Sequence, residues 1–188
     1  MAAVSYARWS QIQSDLVDRR GFPYTTNIGN GRIKGLETTA DWVPMTGLKF
    51  GGSLFLNRSS LYDPVLALAR QKGDQLADIP RFSGNTRLSY QWGDPETSQW
   101  SGWAAASHVG RSYVGFGSML NIAQGGYSVM SAGAGWRHGN LNVMLDLDNL
   151  TNNRANRFSL GNPFAVADRN QQTPLRPRSL KLTVAKGF

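Results

Sequence analysis

Regular alternation of apolar and polar residues in the last stretch of the chain limits the possible folds more than any other feature. Leu180, Leu182 and Val184 fall on one parity and Phe188 ends the same series, whereas the residues between the first three are polar. A period of two is typical of a β-strand with one apolar and one polar face. Because an aromatic side chain suits the membrane–water boundary, the strand is predicted to face lipid. On this stretch alone, the last strand of a soluble sheet remains the alternative.

The same alternation recurs along the chain and predicts about eight strands. The clearest case is residues 80–92, where Phe82, Leu88 and Trp92 share one parity and every residue of the other parity is polar. The predicted strands cover residues 2–16, 25–43, 48–60, 80–92, 100–111, 125–137, 141–158 and 176–188.

The connections between these strands alternate in length. Short turns are predicted at residues 44–47, 93–98 and 138–140, all on one side of the sheet. Long loops are predicted at residues 17–24, 61–78, 112–124 and 159–175, on the other side. Short periplasmic turns and long extracellular loops are the pattern of an outer-membrane barrel.

The two parities predict which face meets lipid. The lipid-facing set is expected to include Leu54, Leu88, Leu145 and Leu182. The interior set is expected to include Glu37, Arg87, Ser89 and Asp146, with the charged residues forming ladders or contacts to a plug.

Tryptophan provides a second indication of a membrane. Five Trp residues are predicted near the short turns, which is the distribution of an interfacial aromatic girdle. They are Trp42, Trp92, Trp100, Trp103 and Trp136, with Phe188 expected at the same level. A soluble core gives no reason for Trp to collect at one end of each hairpin.

Composition excludes several classes of protein. The 188 residues suffice for one domain, and the absence of Cys excludes disulfides and thiolate metal sites. No run of 18 apolar residues occurs, so no transmembrane helix is predicted. The net charge of +8 comes from Lys and Arg that form no dense run, which argues against nucleic acid as a partner. Met1 leads directly into Ala2 and Ala3 without an apolar segment, so no export signal is predicted.

The sequence predicts neither an enzyme nor a cofactor. Gly29, Gly31 and Gly35 lack the spacing of a phosphate loop, and a strand follows them, not a helix. His108 and His138 have no further metal ligands that the sequence identifies, and the G-x-S-x-G motif of hydrolases is absent. A Ser–His–acid hydrolase is left as a minor alternative.

Four short motifs extend over nearly the whole chain. They are Gly35-Leu36-Glu37 followed by Trp42-Val43-Pro44, then Ile79-Pro80-Arg81-Phe82, then Leu147-Asp148-Asn149-Leu150-Thr151-Asn152, and finally Arg176-Pro177-Arg178-Ser179 with Phe188. In this order and spacing the chain resembles the C-terminal part of TonB-dependent outer-membrane receptors. Phe82 departs from the family's Val-Pro-x-His strand entry, where His is commoner.

The resemblance implies an all-β fold, an antiparallel up-and-down transmembrane β-barrel segment of about eight strands. The family carries a signal, a TonB box and a plug domain before a barrel of about 22 strands. Residues 1–188 are therefore expected to be the C-terminal part of such a barrel, without plug or signal peptide. An open, curved sheet is expected in preference to a closed eight-stranded barrel.

For the intact receptor, the resemblance implies energy-coupled uptake of a scarce nutrient across the outer membrane, most often a ferric siderophore. The implied partners are the TonB system and the plug domain, outer-membrane lipid and lipopolysaccharide, and the barrel-assembly machinery that reads the strand ending in Phe188. The loop cations and aromatics best placed to meet an anionic chelate are Arg19, Arg20, Tyr24, Tyr62, Arg70, Lys72, Arg111, Tyr113 and Arg157. For each, the alternative is a solvated residue or a contact to lipopolysaccharide phosphate.

Two other classes remain open at the level of sequence. One is a small stand-alone outer-membrane barrel that acts as a passive channel or a structural protein. The other is a soluble β-sandwich binding module.

Overall fold

The fold is built from strands. The computed structural model describes residues 1–65, 75–116, 120–158 and 172–187. The strands are β1 Ala2–Trp9, β2 Gln13–Val17, β3 Pro23–Asn27, β4 Gly29–Met45, β5 Leu48–Pro64, β6 Phe82–Asp94, β7 Ser98–Val109, β8 Ser112–Tyr113, β9 Ala123–Gln124, β10 Tyr127–His138, β11 Leu141–Asp148, β12 Asn156–Phe158, β13 Thr173–Pro174 and β14 Ser179–Lys186. Within these ranges, no helix has the length and apolarity needed to span a membrane.

Eight of the strands form one sheet in the order β1-β4-β5-β6-β7-β10-β11-β14. All neighbours are antiparallel, and the three pairs β2–β3, β8–β9 and β12–β13 are inserted between successive strands of the sheet. In the part of the chain that the structure describes, β1 and β14 are each paired on one side only. The predicted all-β, up-and-down antiparallel fold and the predicted open sheet are therefore both confirmed.

The first two predicted strands have different ends in the structure. The predicted strand 2–16 breaks after Trp9, because Gln11 has a φ of 52°. The backbone N–H of Gln11 donates a hydrogen bond to the side-chain oxygen of Asn30, 2.8 Å away. The predicted strand 25–43 divides at Ile28, because Gly29 has a φ of 117° and lies against the backbone of Asp63. An added Cβ at Gly29 would lie 2.0 Å from the Asp63 carbonyl oxygen, so only glycine fits there.

The predicted strand 141–158 is also shorter in the structure. β11 ends at Asp148, and Asn149 follows with a φ of 50°. The side-chain Nδ2 of Asn149 donates to the backbone carbonyl oxygens of Asn153 and Arg176, both at 2.8 Å. These bonds hold the chain in a turn, which is a common local use of Asn and ends the strand.

The register of the sheet confirms that the two predicted sets of residues lie on opposite faces of one antiparallel sheet. Directly opposed residues lie on the same face, and Leu54 opposes Thr38 and Gly84, while Leu145 opposes Leu182. Following the pairing across the sheet places Leu54, Leu88, Leu145 and Leu182 on one face, and Glu37, Arg87, Ser89 and Asp146 on the other. We call these the apolar face and the polar face.

The apolar face has no layer packed on it in the described part of the chain. Val4 is 83% exposed, and Leu180, Leu182 and Trp42 are each more than 60% exposed. A soluble sheet would bury such a face against a second layer.

Buried apolar residues lie instead at the end of the sheet that carries the long connections. They are Ile12, Leu16, Ile28, Leu61, Leu76 and Phe116. The cluster lies on the polar-face side, because Leu61 opposes Gly31 and an added Cβ at Gly31 would meet Ile12 at 2.7 Å. We call this group the loop core.

Four of the five Trp residues predicted for the aromatic girdle lie at the short-turn end of the apolar face. Trp92, Trp100 and Trp136 oppose one another on three neighbouring strands, with the Trp100 and Trp136 rings 6.0 Å apart. Trp42 lies on the same apolar face. The prediction for Trp103 is wrong. Trp103 lies three residues after Trp100 on β7, and residues three apart on a strand point to opposite faces. Phe188 lies outside the described residues.

Trp103 lies on the polar face, where the Arg87 guanidinium is 4.1 Å from the centre of its ring. Glu37, Arg87 and Asp146, the charged residues of the predicted ladder, share the polar face. Among the described residues, however, they form no ion pairs. Arg87 stacks on an aromatic ring in place of pairing with a carboxylate.

Candidate functional site

The β2–β3 hairpin carries three of the predicted loop residues. Asp18 organises its tip, because the carboxylate accepts hydrogen bonds from the amides of Arg20 and Phe22, each at 2.8 Å. Gly21, with a φ of 87°, allows the chain to reverse. Arg19 and Arg20 are exposed at this tip, and Tyr24 is exposed on β3. The hairpin therefore presents two cations and a phenol together.

The loop core fixes this hairpin to the sheet. Ile12 and Leu16 project from the β1–β2 connection and β2 onto Ile28 and Leu61, and the last two are completely buried. Backbone hydrogen bonds of 2.8 Å join Ile12 with Gly29 and with Ile28. Burying side chains of this size stabilises the arrangement by about 1.5–3 kcal/mol each. The hairpin is therefore held in a fixed orientation.

Residues 75–80 connect the loop core to the β8–β9 pair. The Leu76 amide is 3.2 Å from the Ser59 hydroxyl oxygen, and the Asp78 amide donates to the Tyr113 carbonyl oxygen at 2.8 Å. The Gln124 side chain donates to the Asp78 carboxylate. Partial burial raises the pKa of the Asp78 carboxyl, and the hydrogen bond from Gln124 opposes this shift.

A further contact joins the last long connection to this layer. The Gly125 amide donates to the Asn156 carbonyl oxygen at 3.1 Å, and the Asn156 side chain approaches the Ala123 carbonyl oxygen at 3.5 Å. β12, which carries the exposed Arg157, thus lies beside β9. The described parts of all four long connections therefore form one layer, which we call the loop layer.

Comparison with known proteins identifies the architecture. The family described as TonB dependent receptor-like, beta-barrel, matches residues 6–150. The chain belongs to this family. The match covers the predicted motifs up to Leu150, six of the eight strands of the sheet completely and the second half of β1. No curated protein matches the chain.

Several solved receptors share the fold of this TonB-dependent receptor chain. They include the ferric yersiniabactin uptake receptor FyuA from Yersinia pestis (TM-score 0.76, 18% identity). The ferric preacinetobactin receptor BauA from Acinetobacter baumannii (TM-score 0.71, 13% identity) and the ferric-catecholate import receptor Fiu from E. coli K12 (TM-score 0.70, 18% identity) are also similar. Each comparison covers 100% of this chain, but only 27%, 27% and 25% of the three receptors. The chain thus spans about a quarter of the receptors it matches.

The loop layer contains most of the predicted site residues. Arg19, Arg20 and Tyr24 share the hairpin, while Arg111 and Tyr113 are exposed around β8. No described contact joins the side chains of the two groups. Arg70 and Lys72 lie outside the described residues.

Tyr62 differs from the others in its surroundings. A β-bulge interrupts the pairing of β5 with β4 at this point, where Tyr62 and Asp63 together oppose Asn30. Tyr62 lies near enough to Arg8 to interact with it electrostatically, and Arg8 is on the apolar-face parity of β1. The role of Tyr62 in ligand binding stays a prediction.

A histidine–serine pair lies on the apolar face. His108 Nδ1 is 2.9 Å from Ser128 Oγ, and the two residues are direct partners on β7 and β10. The His108 ring also lies 5.3 Å from the Phe82 ring. No carboxylate contacts His108 in the described part of the chain, so this pair lacks the third member of a hydrolase triad. Nor do the described residues include a cluster of His, Asp and Glu that could hold a metal.

Sequence reasoning did not single out one group of cations. Arg8, Arg32, Lys34 and Arg58 occupy three neighbouring strands and share the parity of the apolar face. They are far apart in sequence, so no dense basic run marks them. The sequence did contain one signal, which is the position of these cations on their strands. Each lies two or four residues beyond the last residue of the apolar row and has the same parity as that row. We call them the outer cation cluster.

Proposed function

We propose that the chain forms part of the wall and extracellular surface of a TonB-dependent receptor in the cell outer membrane, which takes up an anionic ligand such as a ferric siderophore. The observation that carries the proposal is a continuous eight-stranded sheet with an uncovered apolar face, in a chain of this family. Sheets can face lipid only if their backbone groups are paired within the sheet.

The height of the apolar face supports a membrane location. Outward residues on β6 run from Trp92 near the short turn to Phe82 near the long connection, ten residue steps apart. At about 3.3 Å per residue and a strand tilt of about 40°, this corresponds to a height of about 25 Å, which is the thickness of the apolar band in outer-membrane barrels. The Trp row marks one boundary of this band.

The two open edges support a segment of a larger barrel. A barrel wall in lipid leaves no strand edge unpaired, because each unpaired backbone group there costs several kcal/mol. We propose that β1 and β14 pair with strands of the receptor outside this chain. The proposed plug domain, the TonB system and the barrel-assembly machinery would act on the whole receptor, as in the family.

The charge of the loop layer supports an anionic ligand. Arg19, Arg20, Arg111 and Arg157 are all exposed, and in the described residues no ion pair occupies them. Arginine binds carboxylate and catecholate-like oxygens through paired N–H groups, and the neighbouring phenols of Tyr24 and Tyr113 add hydrogen bonds. Lumen-facing walls and these loops together would form the binding surface.

Ligand binding by the hairpin tip provides the test. In the receptor that contains this chain, the double substitution Arg19→Gln with Arg20→Gln should weaken binding of a labelled ferric siderophore to whole cells by about threefold to tenfold. The remaining binding should also depend less on salt, because two exposed charges that attract the ligand have been removed.

The matched control removes two charges at the opposite end of the sheet, by Arg137→Gln with Lys186→Gln. Both variants are compared at equal surface levels of receptor, measured with an antibody. Binding that is normal in the hairpin variant, or reduced equally in both variants, would contradict a role of the hairpin in recognition.

A further inference from the structure

The outer cation cluster forms two adjacent rows on the outward side of the sheet. Lys34 opposes Tyr6 and Arg58, and Arg32 opposes Arg8 and Ser60. Opposed side chains lie about 5 Å apart at their Cβ atoms. Four positive charges are therefore concentrated on three strands, at the end of the apolar face nearest the loop layer.

Local contacts orient these side chains without neutralising them. Arg32 Nε lies 3.1 Å from the Ser60 hydroxyl oxygen, and Arg8 Nε lies 3.0 Å from the Tyr6 phenol oxygen. The Lys34 ammonium is 5.9 Å from the centre of the Tyr6 ring. In the part of the chain that the structure describes, none of these cations is paired with a carboxylate. Their terminal N–H groups are available to an external anion.

The cluster directly borders the apolar band. Val4, Leu36, Leu56 and Phe82 form the last apolar row, and the cations begin one row beyond it. A groove of about 320 Å³ crosses this boundary. The residues that line it include apolar Leu36 and Leu56 and cationic Lys34 and Arg58, all four on the outward parity, together with Gly35, Asn57 and Arg81.

From this arrangement we propose that the outer cation cluster binds the phosphate groups of the phosphorylated glycolipid of the outer leaflet, lipopolysaccharide. Lys34, Arg58 and Arg32 bind phosphate, and the groove at Leu36 and Leu56 receives the first part of an acyl chain. This assignment rests on the proposed function, since it requires the apolar face to lie in the outer membrane.

The geometry favours a lipid over the transported ligand or free phosphate. The cluster is on the outward parity, whereas a ligand passing through the barrel would meet the polar face. Free phosphate would gain nothing from the leucines, but a phosphorylated lipid satisfies both halves of the groove. Phosphate contacts by Lys and Arg at a membrane surface strengthen binding about fivefold per cation.

The experiment measures lipopolysaccharide held by the receptor that contains this chain. The receptor is purified from outer membranes in mild detergent, and the lipopolysaccharide bound to it is counted by native mass spectrometry. Lipopolysaccharide is then titrated into the receptor to measure the strength of binding. The triple variant Arg32→Gln, Lys34→Gln and Arg58→Gln should bind lipopolysaccharide about 100-fold more weakly than the parent. High salt should weaken binding to the parent receptor more than to the variant.

Three controls separate the possible sources of an effect. The variant Lys49→Gln, Arg137→Gln and Lys181→Gln removes the same charge from the polar face and should bind lipopolysaccharide normally. The charge-conserving double variant Lys34→Arg with Arg58→Lys should retain most of the lipopolysaccharide binding of the parent receptor. Lipopolysaccharide without its lipid phosphates should bind to the parent as weakly as intact lipid binds to the triple variant.

Several outcomes would overturn the assignment. Equal loss in the polar-face control would mean unspecific attraction, and undiminished binding in the triple variant would remove the site. Displacement of the lipid by inorganic phosphate at equal concentration would assign the cluster to free phosphate. Membrane fractionation keeps the proposals distinct, because a parent receptor absent from the outer membrane would contradict the proposed function itself.

Discussion

At the scale of single residues, small side chains on the polar face make room for large ones. An added Cβ at Gly133 would lie 2.4 Å from the Trp103 indole nitrogen and 2.6 Å from an Asp146 carboxylate oxygen. Trp103 can also not move freely, since the Arg87 guanidinium packs on its ring. Glycine at this position therefore allows the Arg87–Trp103 stack to lie flat against the sheet.

Gly133→Ala should consequently destabilise the sheet by about 1–3 kcal/mol, the usual range for overpacking. The measurement is urea-induced unfolding of the receptor in detergent micelles, followed by Trp fluorescence. Gly102→Ala is the matched control, since its added Cβ would lie 3.8 Å from the nearest atom, on the Trp92 ring. Equal stability of the two variants would show that Trp103 is not confined as described.

At the scale of the strand, β11 separates two environments with adjacent residues. Leu145 opposes Leu182 and Ala134 on the apolar face, whereas Met144 opposes Thr183 and Gly135 on the polar face. A charge placed at the membrane midplane must leave water, whereas one in the lumen keeps it. The consequence of one substitution should therefore depend on parity alone.

Leu145→Arg should destabilise the folded receptor by about 2–4 kcal/mol if the position lies near the membrane midplane. Met144→Arg should lower the free energy of unfolding much less, because its side chain is on the polar face. Both can be measured by folding into lipid vesicles at graded urea concentrations. Similar effects of the two substitutions would contradict lipid exposure of the apolar face.

At the scale of the whole molecule, the two open edges of the sheet decide whether the chain can be stable on its own. β1 and β14 expose most of their side chains, and Leu180, Leu182 and Val184 on β14 are each more than 60% exposed. An uncapped apolar edge strand is a site of aggregation in water and an unsatisfied backbone in lipid. The sheet is therefore expected to need the rest of the barrel.

Expressed alone with an added export signal, the chain should aggregate or be degraded and should not yield a folded monomer. The intact receptor is the control. The assay is migration on a detergent gel, where a folded barrel runs faster before heating than after. A heat-modifiable monomer formed by residues 1–188 alone would support the closed eight-stranded barrel instead.

The sequence by itself determined the faces, the strand order and the family, because each depends on local alternation and on motifs read along the chain. Leu54, Leu88 and Arg87 were placed correctly, since parity on an antiparallel strand requires no knowledge of neighbours. Only the tertiary structure decided the breaks at Gln11 and Ile28, the loop core and the outer cation cluster. Those features depend on side chains that are distant in sequence and meet only after the strands have paired, and the pattern along one strand does not show which residues of another strand it will meet.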